Sequence, residues 1–193
     1  MTDRKTTWLR RRPNWRKISY GGIVILVGLL VIKKYWIGYY RIPQNAMFPT
    51  IRAGGALFAF RNAYSNPSQV KRGDLIVFLK HDRGQKSTYI FRVIGVPGDS
   101  ISASGEALVV NGKPAVRERL ETRGQFVIFM EHVVDSPDYE IAFDQSSDQH
   151  PPDVTERIPQ RYFFVMGDNR LHAYDSRYFG PISFDSIVAK GIR

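Results

Sequence analysis

Residues 89–99, YIFRVIGVPGD, decide the fold class of this 193-residue chain. The first half of the segment is β-branched and aromatic, which is typical of a strand, and the second half ends in a Pro-Gly-Asp turn. Other short apolar runs are separated in the same way by Gly, Pro, Asp and Asn clusters, which predicts a mainly β, antiparallel domain. The predicted strands are 56–61, 75–80, 89–95, 107–110, 125–130 and 162–166.

Two further patterns refine this prediction. Asn111-Gly112 separates the run 107–110 from KPAV, and this dipeptide is a strong signal for a two-residue hairpin turn. Residues 136–160 are polar and rich in proline, so we expect a surface excursion or an irregular insert there instead of core. Any final strand before Arg193 is expected to be short or absent.

The net charge of +10 is concentrated at the amino terminus. Residues 1–17 carry seven basic side chains and one acidic one, and the uncharged run ISYGGIVILVGLLVI follows. Two lysines and an aromatic belt come next, so we expect a transmembrane helix over residues 18–37. The positive-inside rule then predicts a cytoplasmic tail at 1–17 and an extracytoplasmic domain at 41–193.

Other readings of the amino terminus are less well supported. A cleaved signal peptide would need a small-x-small site after the apolar run, and none follows it. A buried core helix would not carry a basic flank on one side and an aromatic belt on the other. A nucleic-acid role for the tail is a minor alternative, which predicts salt-sensitive DNA binding. We expect the partner of this region to be a membrane and not nucleic acid.

The composition excludes several kinds of site. The chain contains no cysteine, which rules out disulfides, thiolate zinc sites and thiol nucleophiles. The four histidines form no His-x-x-x-His pair, and no glycine-rich phosphate loop is present. We therefore expect neither a metal nor a cofactor.

Four short blocks, in order, resemble those of the type I signal peptidases, the membrane-bound Ser/Lys proteases that remove signal peptides from exported proteins. The resemblance implies a signal-peptidase-like antiparallel β core with a smaller β insert at about 104–160. It also implies the bacterial inner membrane as location. The blocks are IPQNAMFPT at 42–50, RGDLIVF at 72–78, YIFRVIGVPGD at 89–99, and GDNR at 167–170 followed by DSRYFG at 175–180.

The positions that would carry the chemistry depart from the family pattern. The resemblance places the nucleophile at Ala46 and the general base at Phe91, and neither residue can perform that role. The residue supporting the base would be Ala173, the oxyanion donor Gln44, and an expected aspartate is Gly55. A laboratory Ser→Ala change stays open for Ala46, but it would not account for Phe91 and Ala173.

Other parts of the family pattern are kept. The substrate groove of the family corresponds here to Arg41, Ile42, Pro43, Thr88, Tyr89 and Ile90. Asp175 and Arg177 are expected to form an ion pair that braces the core. The scaffold positions implied by the resemblance are Pro49, Thr50, Gly167, Asp168, Asn169, Arg170, Asp175, Ser176 and Arg177.

Three functions follow as hypotheses. The first is a membrane-anchored, catalytically inactive signal-peptidase homologue that binds a preprotein, an active signal peptidase or a secretion complex. The alternative is an active or formerly active serine endopeptidase with an engineered or unrecognised catalytic set. Lys86 is expected on the strand face opposite Phe91, and His172 is expected to be a loop residue, so neither is a good replacement base. The third is a non-peptidase β module in which Ala46 and Phe91 are not neighbours.

Overall fold

The computed structural model describes residues 15–82 and 84–192 and divides the chain into two units, Met1–Tyr35 and Trp36–Arg193. Helix α1 spans Trp15–Trp36. Between residues 20 and 30 its side chains are exposed, and most of them are apolar. Within residues 15–82 and 84–192, no helix is both long and apolar enough to span a bilayer.

The expected anchor over 18–37 stays a prediction. The helix stops at Trp36, because Ile37 is already the first residue of a strand that pairs with a neighbour. Most of the expected cytoplasmic tail, residues 1–14, lies outside the described residues.

The described residues of the second unit form fourteen strands, and the short helix α2 spans Ser176–Phe179. Two single-turn 3-10 helices cover Pro67–Gln69 and Phe184–Ser186. The strands are β1 (Ile37–Arg41), β2 (Ala56–Arg61), β3 (Leu75–Asp82), β4 (Gln85–Gly95), β5 (Ser100–Ser104), β6 (Ala107–Val110), β7 (Lys113–Pro114), β8 (Val116–Arg123), β9 (Phe126–His132), β10 (Tyr139–Asp144), β11 (Val154–Arg157), β12 (Tyr162–Met166), β13 (Ile182–Ser183) and β14 (Ile187–Gly191).

These strands form three antiparallel sheets, which confirms the prediction of a mainly antiparallel β domain. The large sheet has the order β1-β2-β14-β3-β4-β12-β13. The segment between β4 and β12 forms the two small sheets, β10-β9-β8 and β11-β5-β6-β7.

Residues 90–95 of β4 and residues 163–166 of β12 are buried on both faces, and this places these parts of the two strands at the centre of the fold. Phe91 and Val165 belong to the hydrophobic cluster on one side of the large sheet. Ile94 and Phe164 belong to a second cluster, which is shared with the small sheets. Because successive side chains of a strand point to opposite faces, a continuous apolar run such as YFFVM serves both clusters.

All six predicted strands exist, and three of them, β2, β6 and β12, have the predicted bounds. The hairpin turn at Asn111-Gly112 is also confirmed. Val110 pairs with Lys113 across it, and the two turn residues have φ angles of 53° and 73°. Such left-handed values at both positions define the type I′ turn that Asn-Gly favours.

One sequence expectation is wrong. Residues 136–160 are not simply an irregular excursion, because they include β10, whose Tyr139, Ile141 and Phe143 are buried. The final strand, which was expected to be short or absent, is present as the five-residue β14 and lies between β2 and β3 within the large sheet.

Candidate functional site

Gly167 is the point at which three predicted site positions meet. A Cβ atom placed on Gly167 would lie 2.3 Å from Ala173 Cβ, 2.5 Å from the Ala46 carbonyl oxygen and 3.4 Å from Phe91 Cε1. The structure therefore brings together residues that are widely separated in the sequence. The roles that the resemblance gives to these positions stay predictions.

Asn169 fixes the segment that carries Ala46. Its backbone N–H donates to the Ala46 carbonyl oxygen at 3.1 Å, and its side-chain amide donates to the Asn45 carbonyl oxygen at 3.1 Å. Met47, the next residue, is completely buried and accepts a hydrogen bond from Ile51 N through its carbonyl. The position of Ala46 is thus set by contacts on both sides.

Phe91 lies in an apolar environment. It pairs with Ile76 across β3 and β4, and its side chain is 3% exposed. Its ring centroid is 6.1 Å from that of Phe78 and 6.0 Å from that of Tyr89. Such tilted aromatic neighbours pack favourably, so the ring completes an aromatic cluster.

None of the three side chains around Gly167 can perform acyl transfer. A methyl group has no lone pair for attack on a carbonyl, and a phenyl ring cannot accept the proton of a nucleophile. Two nearby scaffold hydroxyls already have partners. Thr50 Oγ1 donates to Asp168 Oδ2 at 2.5 Å, and the buried Ser176 Oγ accepts from Val165 N at 3.0 Å.

The replacement bases considered from the sequence occupy other places. Lys86 is exposed and lies in β4 at an odd offset from Phe91, which is the opposite face of the strand. His172 Nε2 is 2.7 Å from Asp144 Oδ2. Burial raises the pKa of Asp144, but hydrogen bonds from Ser146, His172 and Gln125 outweigh it and hold this pKa well below its usual range. His172 is therefore the hydrogen-bond partner of a buried carboxylate. The sequence predicts His172 only as a loop residue and does not predict this contact.

A cleft of about 530 Å³ runs beside this cluster. Among its lining residues Arg41 is the one charged side chain. Residues 85–92 of β4 pair with β3, but β12 pairs with β4 only at residues 92–95, so the pairing with β12 stops short of the cleft. The lining includes the predicted groove and three of the departing positions: Arg41, Ile42, Pro43, Thr88, Tyr89, Ile90, Gln44, Ala46 and Phe91.

Buried ion pairs support the loop that holds Gly167. Arg92 donates to both oxygens of Asp168, at 2.7 and 2.6 Å, and both side chains are about 1% exposed. Asp175 and Arg177 form the expected pair at 2.8 and 2.9 Å. Asp175 also accepts the Gly167 N–H at 3.0 Å, which links that pair directly to the cluster.

Sequence reasoning missed part of this support. Glu131, completely buried, pairs with Arg170 and Arg117 and accepts the Tyr139 hydroxyl at 2.9 Å. Glu131 belongs to none of the four blocks and gave no signal. Arg92 did carry one, because a charge within an otherwise apolar strand indicates a buried partner.

Gly55 shows how one departure fits its surroundings. A Cβ atom there would lie 2.7 Å from the Arg52 carbonyl oxygen, so an aspartate would require the turn to shift.

Among residues 15–82 and 84–192, no group of three or more His, Asp or Glu side chains is arranged to hold a metal ion.

The family model and the sequence relatives point to one family. The family model described as "Signal peptidase, peptidase S26" matches residues 15–192. A Signal peptidase I of Bacillus caldolyticus is 30% identical over 98% of this chain and 92% of its own length. Signal peptidase I V of Bacillus subtilis is 32% identical over 86% and 90%. A crystal structure of a signal peptidase I from Enterococcus faecalis is 24% identical, covers 61% of this chain and 92% of that one, and has a TM-score of 0.36.

Proposed function

The chain belongs to the signal peptidase S26 family, and from that premise we propose that it is a catalytically inactive member that binds an extended peptide without cutting it. The observation that carries this proposal is the cluster around Gly167. Ala46, Phe91 and Ala173 meet there, and the three side chains supply no nucleophile and no base. Three simultaneous apolar residues are the pattern expected when a catalytic set is lost as a unit.

The cleft supports the retention of peptide binding. Residues 41–43 and 88–90 line it, and the resemblance assigns to these segments the contact with an extended substrate. A strand whose pairing stops beside a cleft is suited to the addition of a further strand, in which main-chain hydrogen bonds supply the affinity. The bound peptide would be part of an exported preprotein; an active signal peptidase or a secretion complex would be the partner that presents it.

The proposal includes attachment to the bacterial inner membrane through residues 18–36. It is supported by the exposed apolar side chains between Tyr20 and Leu30 and by the seven basic residues within residues 1–17. In this topology the tail stays in the cytoplasm and the β domain lies outside it.

Incubation with a preprotein tests the loss of activity. The unaltered chain is expected to leave the preprotein intact. The variant Ala46→Ser/Phe91→Lys/Ala173→Ser restores the three family positions and is the matched comparison. Cleavage by the unaltered chain would mean that it is an active peptidase with another catalytic set, and would overturn the proposal.

Binding is tested separately with a fluorescent peptide from the same preprotein. Thr88 is exposed on the cleft, so Thr88→Trp is expected to fill it and weaken binding several-fold. Thr155 is exposed on β11 and does not line the cleft, which makes Thr155→Trp the control. Equal affinities for the two variants, or no binding by the unaltered chain, would contradict the peptide-binding function.

A further inference from the structure

Arg41 sets the charge of the cleft beside Ala46. Among the described residues that line this cleft, Arg41 carries the only charge, and the other lining side chains are apolar or neutral polar groups. Its side chain is exposed at the end of β1. It forms no ion pair and no side-chain hydrogen bond with any residue in the ranges 15–82 and 84–192. The guanidinium group, which is always charged, is therefore available to a ligand.

The walls of the cleft supply no carboxylate to balance this charge. Residues 37–73 contain no Asp and no Glu, and neither do residues 83–98. The lining residues, which lie between 39 and 47 and between 87 and 91, all fall within these two stretches. The cleft thus carries a positive charge that its own walls leave unbalanced, and such a charge favours an anionic ligand.

The carboxylates beside Gly167 are neutralised by other arginines. Asp168 accepts from Arg92 at 2.7 and 2.6 Å, and Asp175 accepts from Arg177 at 2.9 and 2.8 Å. These four side chains are all buried. Because each pair has a net charge of zero, neither offsets the positive charge in the cleft.

We propose that the cleft selects a peptide with an acidic side chain, whose carboxylate pairs with Arg41. This inference rests on the proposed peptide binding and adds the chemical class of the peptide. Guanidinium and carboxylate groups form a planar pair with two parallel hydrogen bonds, which adds specificity as well as energy. A peptide with a lysine at the same position is rejected, because two cations would then meet without a counter-charge.

Chain length limits where the acidic residue can lie. Arg41 and Ala46 are five positions apart, and an extended chain spans at most about 3.6 Å per residue, so their backbones are no more than about 18 Å apart. A peptide bound as a β-strand rises about 3.3 Å per residue. Its acidic residue therefore lies within about six positions of the peptide residue next to Ala46.

Anisotropy titrations with a charge series test this selectivity. The full-length protein, in a nonionic detergent, is titrated against the fluorescent preprotein peptide with an amidated carboxyl terminus and with Glu or Gln at each successive position. At one or two positions the Glu version is expected to bind roughly three- to fivefold more tightly than the Gln version, as for a partly exposed ion pair. High salt should reduce this preference.

Substitutions of Arg41 link the preference to its side chain. Arg41→Gln should abolish the preference, and Arg41→Glu should reverse it in favour of a Lys version of the peptide. Arg157 is exposed on β11 and does not line the cleft. Arg157→Gln removes the same charge elsewhere on the domain, so this control should keep the preference. Circular dichroism of each variant verifies folding.

The outcomes separate this inference from the proposed function. Equal affinities for the Glu and Gln versions at every position, while Thr88→Trp still weakens binding, would reject the acidic selectivity and leave peptide binding standing. A preference that persists in Arg41→Gln would also overturn the inference, because another group would then recognise the carboxylate. Failure of every version to bind would overturn the peptide-binding function and this inference with it.

Discussion

Substitution of Gly167 by alanine tests whether the three site positions really meet. The added methyl group would lie 2.3 Å from Ala173 Cβ and 2.5 Å from the Ala46 carbonyl oxygen. Neither neighbour is the end of a flexible side chain, so the backbone itself must shift. Gly167 is not among the glycines with positive φ, and the cost is therefore steric and not conformational.

The magnitude follows from general values for overpacked cores. An extra methyl group in a well-packed site costs about 1–3 kcal/mol. For a domain of this size, each kcal/mol lowers Tm by roughly 2–4 °C, so Gly167→Ala is expected to lower Tm by roughly 2–12 °C. Denaturant unfolding followed by circular dichroism measures the free energy, and Gly22→Ala, where the added methyl group meets nothing within 4 Å, is the control.

A second variant separates this contact from a general loss of stability. Ala173→Gly removes the atom that lies 2.3 Å from the new methyl group, so Gly167→Ala/Ala173→Gly is expected to be more stable than the sum of the single variants by about 0.5–3 kcal/mol. The double variant should recover only part of the lost stability, because the Ala46 carbonyl oxygen still lies close to the new methyl group. An unchanged free energy of unfolding for Gly167→Ala would refute the assembly of the site around Gly167.

Three further outcomes are expected. Arg92→Met leaves the buried Asp168 carboxylate without its partner, so the free energy of urea unfolding is expected to fall by about 3–5 kcal/mol. Arg161→Met breaks an exposed ion pair and should lower the same free energy by less than about 1 kcal/mol. Burial raises the pKa of Glu131, but its arginine partners outweigh burial and lower this pKa. The stability that Glu131 contributes is therefore present above its ordinary pKa of 4.5 and is lost as the pH falls below that value. Glu131→Gln should flatten the decline of the free energy of unfolding at the acid end of a pH series. In Gly112→Ala the new methyl group meets no atom within 4 Å, but alanine is forced to adopt a φ of 73°. The free energy of unfolding, measured by thermal unfolding, is therefore expected to fall by about 1–2 kcal/mol. An unchanged free energy would exclude the type I′ turn.

Much of the fold could be predicted from local pattern. The strands β2, β6 and β12 and the Asn111-Gly112 hairpin were predictable because a strand's period of two and a turn's need for positive φ are properties of a few adjacent residues. Strand β8 was not predicted, since VRERLETR is mostly charged and resembles solvated sequence. It is a strand because β9 pairs with it, apart from a register shift between Arg119 and Glu121.

Strand β10 shows the same limit inside the core. Its residues YEIAFD include two acids, and the buried Asp144 accepts hydrogen bonds from the nearby Ser146 and has His172 and Gln125, which are remote in the sequence, as further partners. Local hydrophobicity does not predict this burial, since a buried carboxylate is tolerated only where hydrogen bonds or charges compensate it.

The sequence by itself determined the order of the blocks, the nature of the side chains at Ala46, Phe91 and Ala173, and the basic and apolar character of the amino terminus. Only the tertiary structure decided that these three positions meet at Gly167, beside a cleft that residues 41–43 and 88–90 line. The reason is physical. Composition and local pattern fix which chemistry a residue has, but antiparallel pairing between distant strands fixes which residues become neighbours.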